Sequence, residues 1–264
     1  MQKITRTAVY GLLSLFWLAG CGNNRASITV AGSTAFQPFA EKLADQFMTQ
    51  HQQASLVVQG GGSAVGIQST LSGTAQIGMA DLVVLPEEAR DLAATIVAQD
   101  GIVIVVHPSN PLLDLRTDQL RSIFNGEIRT WRDLGAAHGT ITVVSREAGS
   151  GTRLSFEQIV TGISLTNEAI IQDSNGTIRE TVANDPNAIG YLSHGLINDR
   201  IKALSIDGMV CSNETIQNKS YKLARPIYLL TRGTPLPDTQ AFIDYILSAE
   251  GQQTILSSGL IPVK

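Results

Sequence analysis

The chain predicts an α/β fold with mixed or parallel sheets, on three observations. Short β-branched apolar runs alternate with stretches of helical spacing. Glycine- and hydroxyl-rich junctions recur where a strand run gives way to a helical one. The 264 residues, 43% of them apolar, are enough for a substantial core, as one large domain or as two small lobes.

Taken in order, ITVAG (28–32) reads as a buried strand. Residues 35–50 place Phe36, Phe39, Ala40, Leu43 and Phe47 at helical spacing. SLVVQ (55–59) is a second strand, followed by a glycine run and a helix over 64–71. AQIGMA (75–80) is a short third strand, and GIVIVVH (101–107) a strongly apolar fourth. Residues 117–124 predict a helix capped by Thr117 or Asp118, with Leu120, Ile123 and Phe124 on its apolar face. ITVVS (141–145) is another strand, and residues 155–160 continue as helix. AIGYLS, KALSI and PIYLLT read as later strands, and residues 239–258 as a closing helix pair. The turn-rich HPSNP at 107–111 and the stretch at 223–226 are candidate crossings between two lobes. No internal repeat is visible.

The start reads as a targeting segment. Lys3 and Arg6 precede the apolar AVYGLLSLFWLAG (8–20), too short to span a bilayer comfortably. Its end, Leu18-Ala19-Gly20-Cys21, resembles the bacterial lipobox, in which the Cys is diacylated and becomes the mature N-terminus. Residues 1–20 are then a lipoprotein signal peptide and 21–27 a lipidated polar tether holding the body to a membrane.

The net charge of −4 argues against nucleic acid as a partner. Cys211 is the one cysteine besides Cys21, so no disulfide framework is expected. The four His lie far apart, and no spacing suits a metal; neither metal nor cofactor is expected.

Three runs share one design: AGSTAF (31–36), GGGSAVG (60–66) and EAGSGTR (147–153). Each follows a predicted strand and opens a predicted helix. Unpaired N–H groups and the positive dipole end make a helix start suited to an anion. Glycine admits close approach, and hydroxyls donate without charge. For any single run, a Ser or Thr cap and a Gly turn explain the residues as well. Three such junctions together point to a ligand crevice at strand ends. Arg146, with Ser150, Gly151 and Thr152 beyond it, makes a cradle for a tetrahedral oxyanion. Walker A, GxGxxG and GxSxG patterns are absent, and Ser150 has no placed base, so an enzyme such as a secreted serine hydrolase is disfavoured.

These residues also carry a family resemblance. GSTAFQP (32–38), QGGGSAVGI (59–67), IGMADLVV (77–84), LRSIFNGEIRTWRDLG (120–135), SREAGSGTR (145–153), NDPNAIGYLS (184–193) and ILSAEGQQTILSSGLIPV (246–263) together resemble the phosphate-binding lipoproteins of bacterial Pst-type ABC transporters. The resemblance implies a two-lobed periplasmic-binding-protein fold, type II-like, with the ligand in the cleft between lobes. Lobe 1 is expected to hold residues 28–106 and 224–264, and lobe 2 residues 107–223. It implies capture of inorganic phosphate, and of arsenate, by a monomer without enzymatic activity, and delivery to ABC permease subunits in the inner membrane. Another oxyanion (molybdate or sulfate), or a phosphate-sensing lipoprotein without transport, is the alternative. The implied site comprises Thr34, Ala35 and Phe36 with Ser33 as an extra donor, then Ser63, Asp81, Arg146, Ser150, Gly151 and Thr152.

Two positions depart from the family pattern. Ala80 stands where a Ser precedes the Asp, and Ala148 where some members carry an acid. Arg146 is then either free or paired with Glu147. Asp81 has a physical rationale in an anion site: an ionised carboxylate accepts the proton of hydrogen phosphate, which sulfate lacks at neutral pH. The competing reading makes Asp81 a helix N-cap. Arg153 is expected to point outward from the following helix.

Overall fold

The computed structural model describes residues 27–136 and 139–263. Cys21, the signal segment and all of the tether except Ser27 lie outside the described residues. In chain order the elements are β1 (Ser27–Gly32), α1 (Gln37–Gln50), β2 (Ser55–Gln59), α2 (Ser63–Ser72), β3 (Ile77–Ala80), β4 (Leu92–Val106), β5 (Asp114–Leu115) and α3 (Thr117–Phe124). There follow β6 (Thr142–Arg146), α4 (Gly151–Ile159), β7 (Ile170–Gln172), α5 (Asn175–Asn184), β8 (Ala188–Ser193), β9 (Lys202–Ile206), α6 (Asn213–Gln217), β10 (Ala224–Arg232), α7 (Pro237–Leu247), α8 (Ala249–Ser257) and β11 (Ile261–Pro262).

The main strand order is β2-β1-β3-β10-β4-β8-β6-β7. β1 runs parallel to β2 and β3, and β6 parallel to β7 and β8. The sheet is therefore mixed, as the alternation of elements implies. Between the two parallel sets lie β10 and β4, antiparallel to each other and to their outer neighbours β3 and β8. β4 serves both sides. Its Leu92–Gly101 portion pairs with β10, and its Ile102–Val106 portion with β8.

Burial follows the same division. Val30, Phe36, Leu43, Phe47, Met79, Val97 and Phe242 belong to one apolar cluster. Ile102 to Val106 pack in another, with Phe124, Phe156, Ile189 and Tyr191. Each fully buried Leu, Ile or Phe contributes about 1.5–3 kcal/mol, so each cluster is a core in its own right.

Three local expectations change. β4 begins at Leu92, nine residues before the run GIVIVVH, because antiparallel pairing with β10 supports a stretch whose own side chains include Thr95, Gln99 and Asp100. The N-cap of α3 is Arg116, not Thr117 or Asp118; Gln119 reaches back to the Arg116 N–H, and Asp207 accepts from the N–H and hydroxyl of Thr117. Asp81 caps no helix: the next helical turn is the short 3-10 segment Glu87–Ala89, which starts after Pro86. Among the described residues no helix is long and apolar enough to cross a membrane.

Candidate functional site at the strand ends

The parallel strands on the two sides of the molecule point their carboxyl ends at one another. From one side come Ser33 after β1, Ser63 beyond β2 and Asp81 after β3. From the other come Arg146 at the end of β6, Ser150 to Thr152 at the start of α4, and Asn175 just beyond β7. The crevice outside carboxyl strand ends is the usual ligand position in open α/β sheets.

Asp81 is its centre. The carboxylate is buried, and Ser63 Oγ donates to its Oδ1 at 2.8 Å. The same Oγ accepts the Asp81 N–H at 3.0 Å, which locks the two loops together. From the opposite side Thr152 Oγ1 donates to Oδ2 at 2.8 Å. Behind Thr152, Ser155 Oγ donates to the Asp81 carbonyl at 3.1 Å and accepts from the N–H of Val83. The start of α4 therefore lies directly against the Asp81 loop.

That approach is why glycine stands at 151. A Cβ built there would lie 2.1 Å from Ser63 Oγ and 2.6 Å from Asp81 Oδ1. Gly62 has the same function on the facing loop: at φ +88° its added Cβ would meet the Gly149 carbonyl at 2.9 Å. Next to it, Ala64 N–H donates to that carbonyl at 3.1 Å and ties the two sides by backbone.

Arg146 is 1% exposed and paired with Glu147. Its Nε and Nη2 fork onto the two Glu147 oxygens at 2.9 and 2.8 Å, and Nη2 also reaches the Asp173 carbonyl. The residue next to the arginine therefore does the neutralising that Ala148 cannot. Arg146 Nη1 remains buried without a hydrogen-bond partner. Tyr191 fixes the strand beneath: its hydroxyl meets Ser145 Oγ at 2.8 Å and accepts from the Arg146 N–H. Its ring stacks on Phe156 at 4.4 Å, and burial pushes the phenol up to about 12.

Ser150 is the N-cap of α4 and accepts from the Arg153 N–H. A capping hydroxyl keeps its own hydrogen free to donate, so cap and ligand donor are compatible roles. In the first loop, Ser33 Oγ accepts from the N–H groups of Ala35 and Phe36, each at 3.2 Å. Thr34 Oγ1 accepts from the N–H and Nδ2 of Asn175. Arg153 does not point outward. It pairs with Glu157 at 2.7 Å and donates to the Arg146 carbonyl, because the α4 surface it occupies leans on the β6 end.

Three residues escaped the sequence reading. Asn175 ties Thr34 on one side to Thr152 and the Ser193 N–H on the other. Arg225 on β10 places Nη2 2.8 Å from Asp81 Oδ2 and 3.0 Å from Asp100 Oδ2. Asp100, on β4, is fully buried, which pushes its carboxyl up to about 6 while Arg225 pulls it back down. The sign of this pair was in the sequence: opposite charges interrupt two long apolar runs, AQDGIVIVV and ARPIYLLTR. Among the described residues no group of three or more His, Cys, Asp or Glu is placed to hold a metal ion. His51 stacks on Phe47, and His107 bonds Ser109.

The model of the PBP superfamily domain matches residues 19–250. The phosphate-binding protein PstS of Bacillus subtilis is 34% identical over 242 residues, 90% of this chain and 81% of that protein. Among solved structures, a phosphate ABC transporter substrate-binding protein from Clostridium perfringens, crystallised with bound phosphate, superposes with a TM-score of 0.87 at 38% identity, covering 90% of this chain and all of that one. An ABC-type phosphate transport receptor from Vibrio cholerae gives 0.74 at 31% identity, over 89% and 99%. With its paired sets of parallel strands and the loops at their ends, the chain belongs to the PstS family of phosphate-binding proteins within the PBP superfamily.

Proposed function

We infer that this chain binds inorganic phosphate outside the cytoplasmic membrane and hands it to the permease of an ABC importer. No bond is made or broken. The observation that carries the reading is Arg146: a buried guanidinium at the end of β6, forked onto Glu147, whose Nη1 has no hydrogen-bond partner. An unpaired buried donor costs about 1–3 kcal/mol, more when charged, and an oxyanion removes that cost. The ligand contacts are assigned to Thr34, Ala35, Phe36, Ser63, Arg146, Ser150, Gly151 and Thr152, with Ser33 shaping the first loop and Asp81 accepting the ligand's proton.

The two lobes divide within β4, between Gly101 and Ile102, and not at 106/107 as expected: one comprises residues 28–101 with 224–264, and the other residues 102–223, because Ile102–Val106 pair with β8 and pack in the second cluster. β4 and β10 connect them and act as the hinge on which they close. The separate apolar clusters support this division, as does the confinement of the central crossing to two antiparallel strands. Closure is what brings Thr152 onto Asp81 and Asn175 onto Thr34.

The body is held at the membrane by acyl chains on Cys21; the tetrad Leu18-Ala19-Gly20-Cys21 supports this. Mass spectrometry of the mature protein tests it: an N-terminus other than a lipid-bearing Cys21 counts against the anchor. Phosphate capture is tested by titration calorimetry with phosphate, arsenate, sulfate and molybdate at constant ionic strength. Phosphate and arsenate are expected to bind and the other two to be rejected. Tighter binding of molybdate or sulfate overturns the reading.

A further inference from the structure

Arg225 stands on neither of the anion-cradling loops, yet its side chain reaches the centre of the site. The sheet register explains how. On β10, Arg225 lies opposite Asp100 of β4, while Tyr228 lies opposite Ala80 of β3, the residue before Asp81. Two neighbouring strands thus bring two carboxylates to one guanidinium. All three groups are buried, with side-chain exposures of 0% for Arg225, 2% for Asp81 and 0% for Asp100. Arg225 Nη2 also donates to Thr152 Oγ1 at 3.2 Å, the hydroxyl that donates to Asp81 Oδ2. Its Nε and Nη1 have no hydrogen-bond partner.

We propose that Arg225 is a positioning residue for anion selectivity: as the ion-pair partner of Asp81 it holds that carboxylate in place as an acceptor for the ligand, while Asp100 holds the guanidinium from the adjacent strand. The inference rests on the phosphate reading. A carboxylate beside a bound anion can relieve repulsion by taking up a proton or by sharing a cation. Proton uptake would turn Asp81 into a donor able to serve sulfate. Sharing a cation leaves it acceptor-only, so a ligand without a proton meets an unanswered lone pair. The other charges near the cleft do not supply this cation: Arg146 is forked onto Glu147, and Arg153 onto Glu157 and the Arg146 carbonyl. The hydroxyls of Ser63 and Thr152 orient Asp81 without adding charge.

The test is calorimetry with inorganic phosphate and sulfate on the wild-type chain and three variants, each checked for folding by circular dichroism and thermal melting. Arg225→Met removes the cation. Arg225→Met with Asp100→Asn removes it and leaves one bare carboxylate instead of two, which lowers the cost to folding. Arg225→Lys keeps the charge. Both Met variants are expected to lose at least about tenfold in phosphate affinity and about tenfold in the phosphate-to-sulfate ratio, and Lys to restore most of the ratio. A folded double variant with the wild-type ratio overturns the proposal, whatever its affinity. So does a Lys variant no better than the Met variants. A wild-type chain that binds sulfate as well as phosphate, or neither, overturns the phosphate reading itself and this inference with it.

Discussion

Thr152 Oγ1 donates to Asp81 Oδ2 across the cleft at 2.8 Å, so a hydroxyl at the first turn of α4 touches a carboxylate at the end of β3. The two residues are 71 positions apart in sequence. Thr152→Val keeps the shape and deletes the hydroxyl. Losing one partner of a buried hydrogen bond costs about 1–3 kcal/mol, so phosphate affinity is expected to fall about tenfold to a hundredfold. Thr152→Ser is expected to recover most of it. Calorimetry on both variants checks this, and an unaltered affinity in the Val variant would remove Thr152 from the site.

Asp81→Asn separates selectivity from affinity. Replacing one acceptor oxygen by an NH₂ gives sulfate a donor and removes the charge repulsion. Phosphate is expected to bind nearly as well, sulfate to gain, and the ratio to fall about tenfold for each 1.4 kcal/mol of discrimination lost. Arsenate carries the same proton as phosphate and is expected to track it. Competition against labelled phosphate measures all three; a sulfate ratio that stays put in the variant rules out the proton-acceptor role.

Arg146→Ala leaves Glu147 without its fork and, in the proposed site, the ligand without its guanidinium. Truncating one member of a desolvated charge pair costs about 2–5 kcal/mol, so binding is expected to weaken by about thirtyfold or more. Arg153 is 22% exposed in its side chain and pairs with Glu157. Arg153→Ala is expected to lower thermal stability slightly and affinity by less than about threefold, since pairs of that exposure contribute about 0–1 kcal/mol. Equal binding losses in the two variants would place the cradle elsewhere.

Gly151→Ala tests closure. The added methyl would sit where Ser63 Oγ and Asp81 Oδ1 now lie. Overpacking of this kind costs about 1–3 kcal/mol, and with the lobes closing as proposed the cost falls on the closed form alone. Both cores are expected to keep their melting behaviour while phosphate affinity drops about tenfold or more. Small-angle scattering with saturating phosphate should then show a larger radius for the variant; matching radii would mean that α4 does not close on Asp81.

Asp100 sets a pH dependence. Burial, opposed by Arg225, raises its carboxyl from 3.8 to about 6 in the folded chain. The folded state then holds the proton more tightly than the unfolded state does, so stability from this group falls as pH rises between those values and is lost above about 6. Asn mimics the protonated acid at every pH. Relative to wild type, Asp100→Asn is therefore expected to grow more stable from about pH 4 to pH 6 and to hold a constant advantage above pH 7. Denaturant unfolding at a series of pH values measures the difference, and a difference that does not vary with pH contradicts the assignment.

Periodicity in the chain determined the α/β class, the strand-helix junctions and the apolar faces of α1 and α3, because these are local properties read within a dozen residues. The three glycine-hydroxyl runs were legible for the same reason: helix starts and close backbone approach need particular residue types at adjacent positions. Tertiary structure alone decided which groups meet. Arg225 and Asp100 lie 125 positions apart, and only the antiparallel register of β4 and β10 sets them opposite each other. Asn175 reaches Thr34 across 141 positions because the loops after β1 and β7 meet. Arg153 turned inward where α4 packs on the end of β6, and of the two alternatives the sequence left open Arg146 took the pairing with Glu147. Local pattern reports the conformation a segment prefers. It says nothing about which distant charge will share its burial.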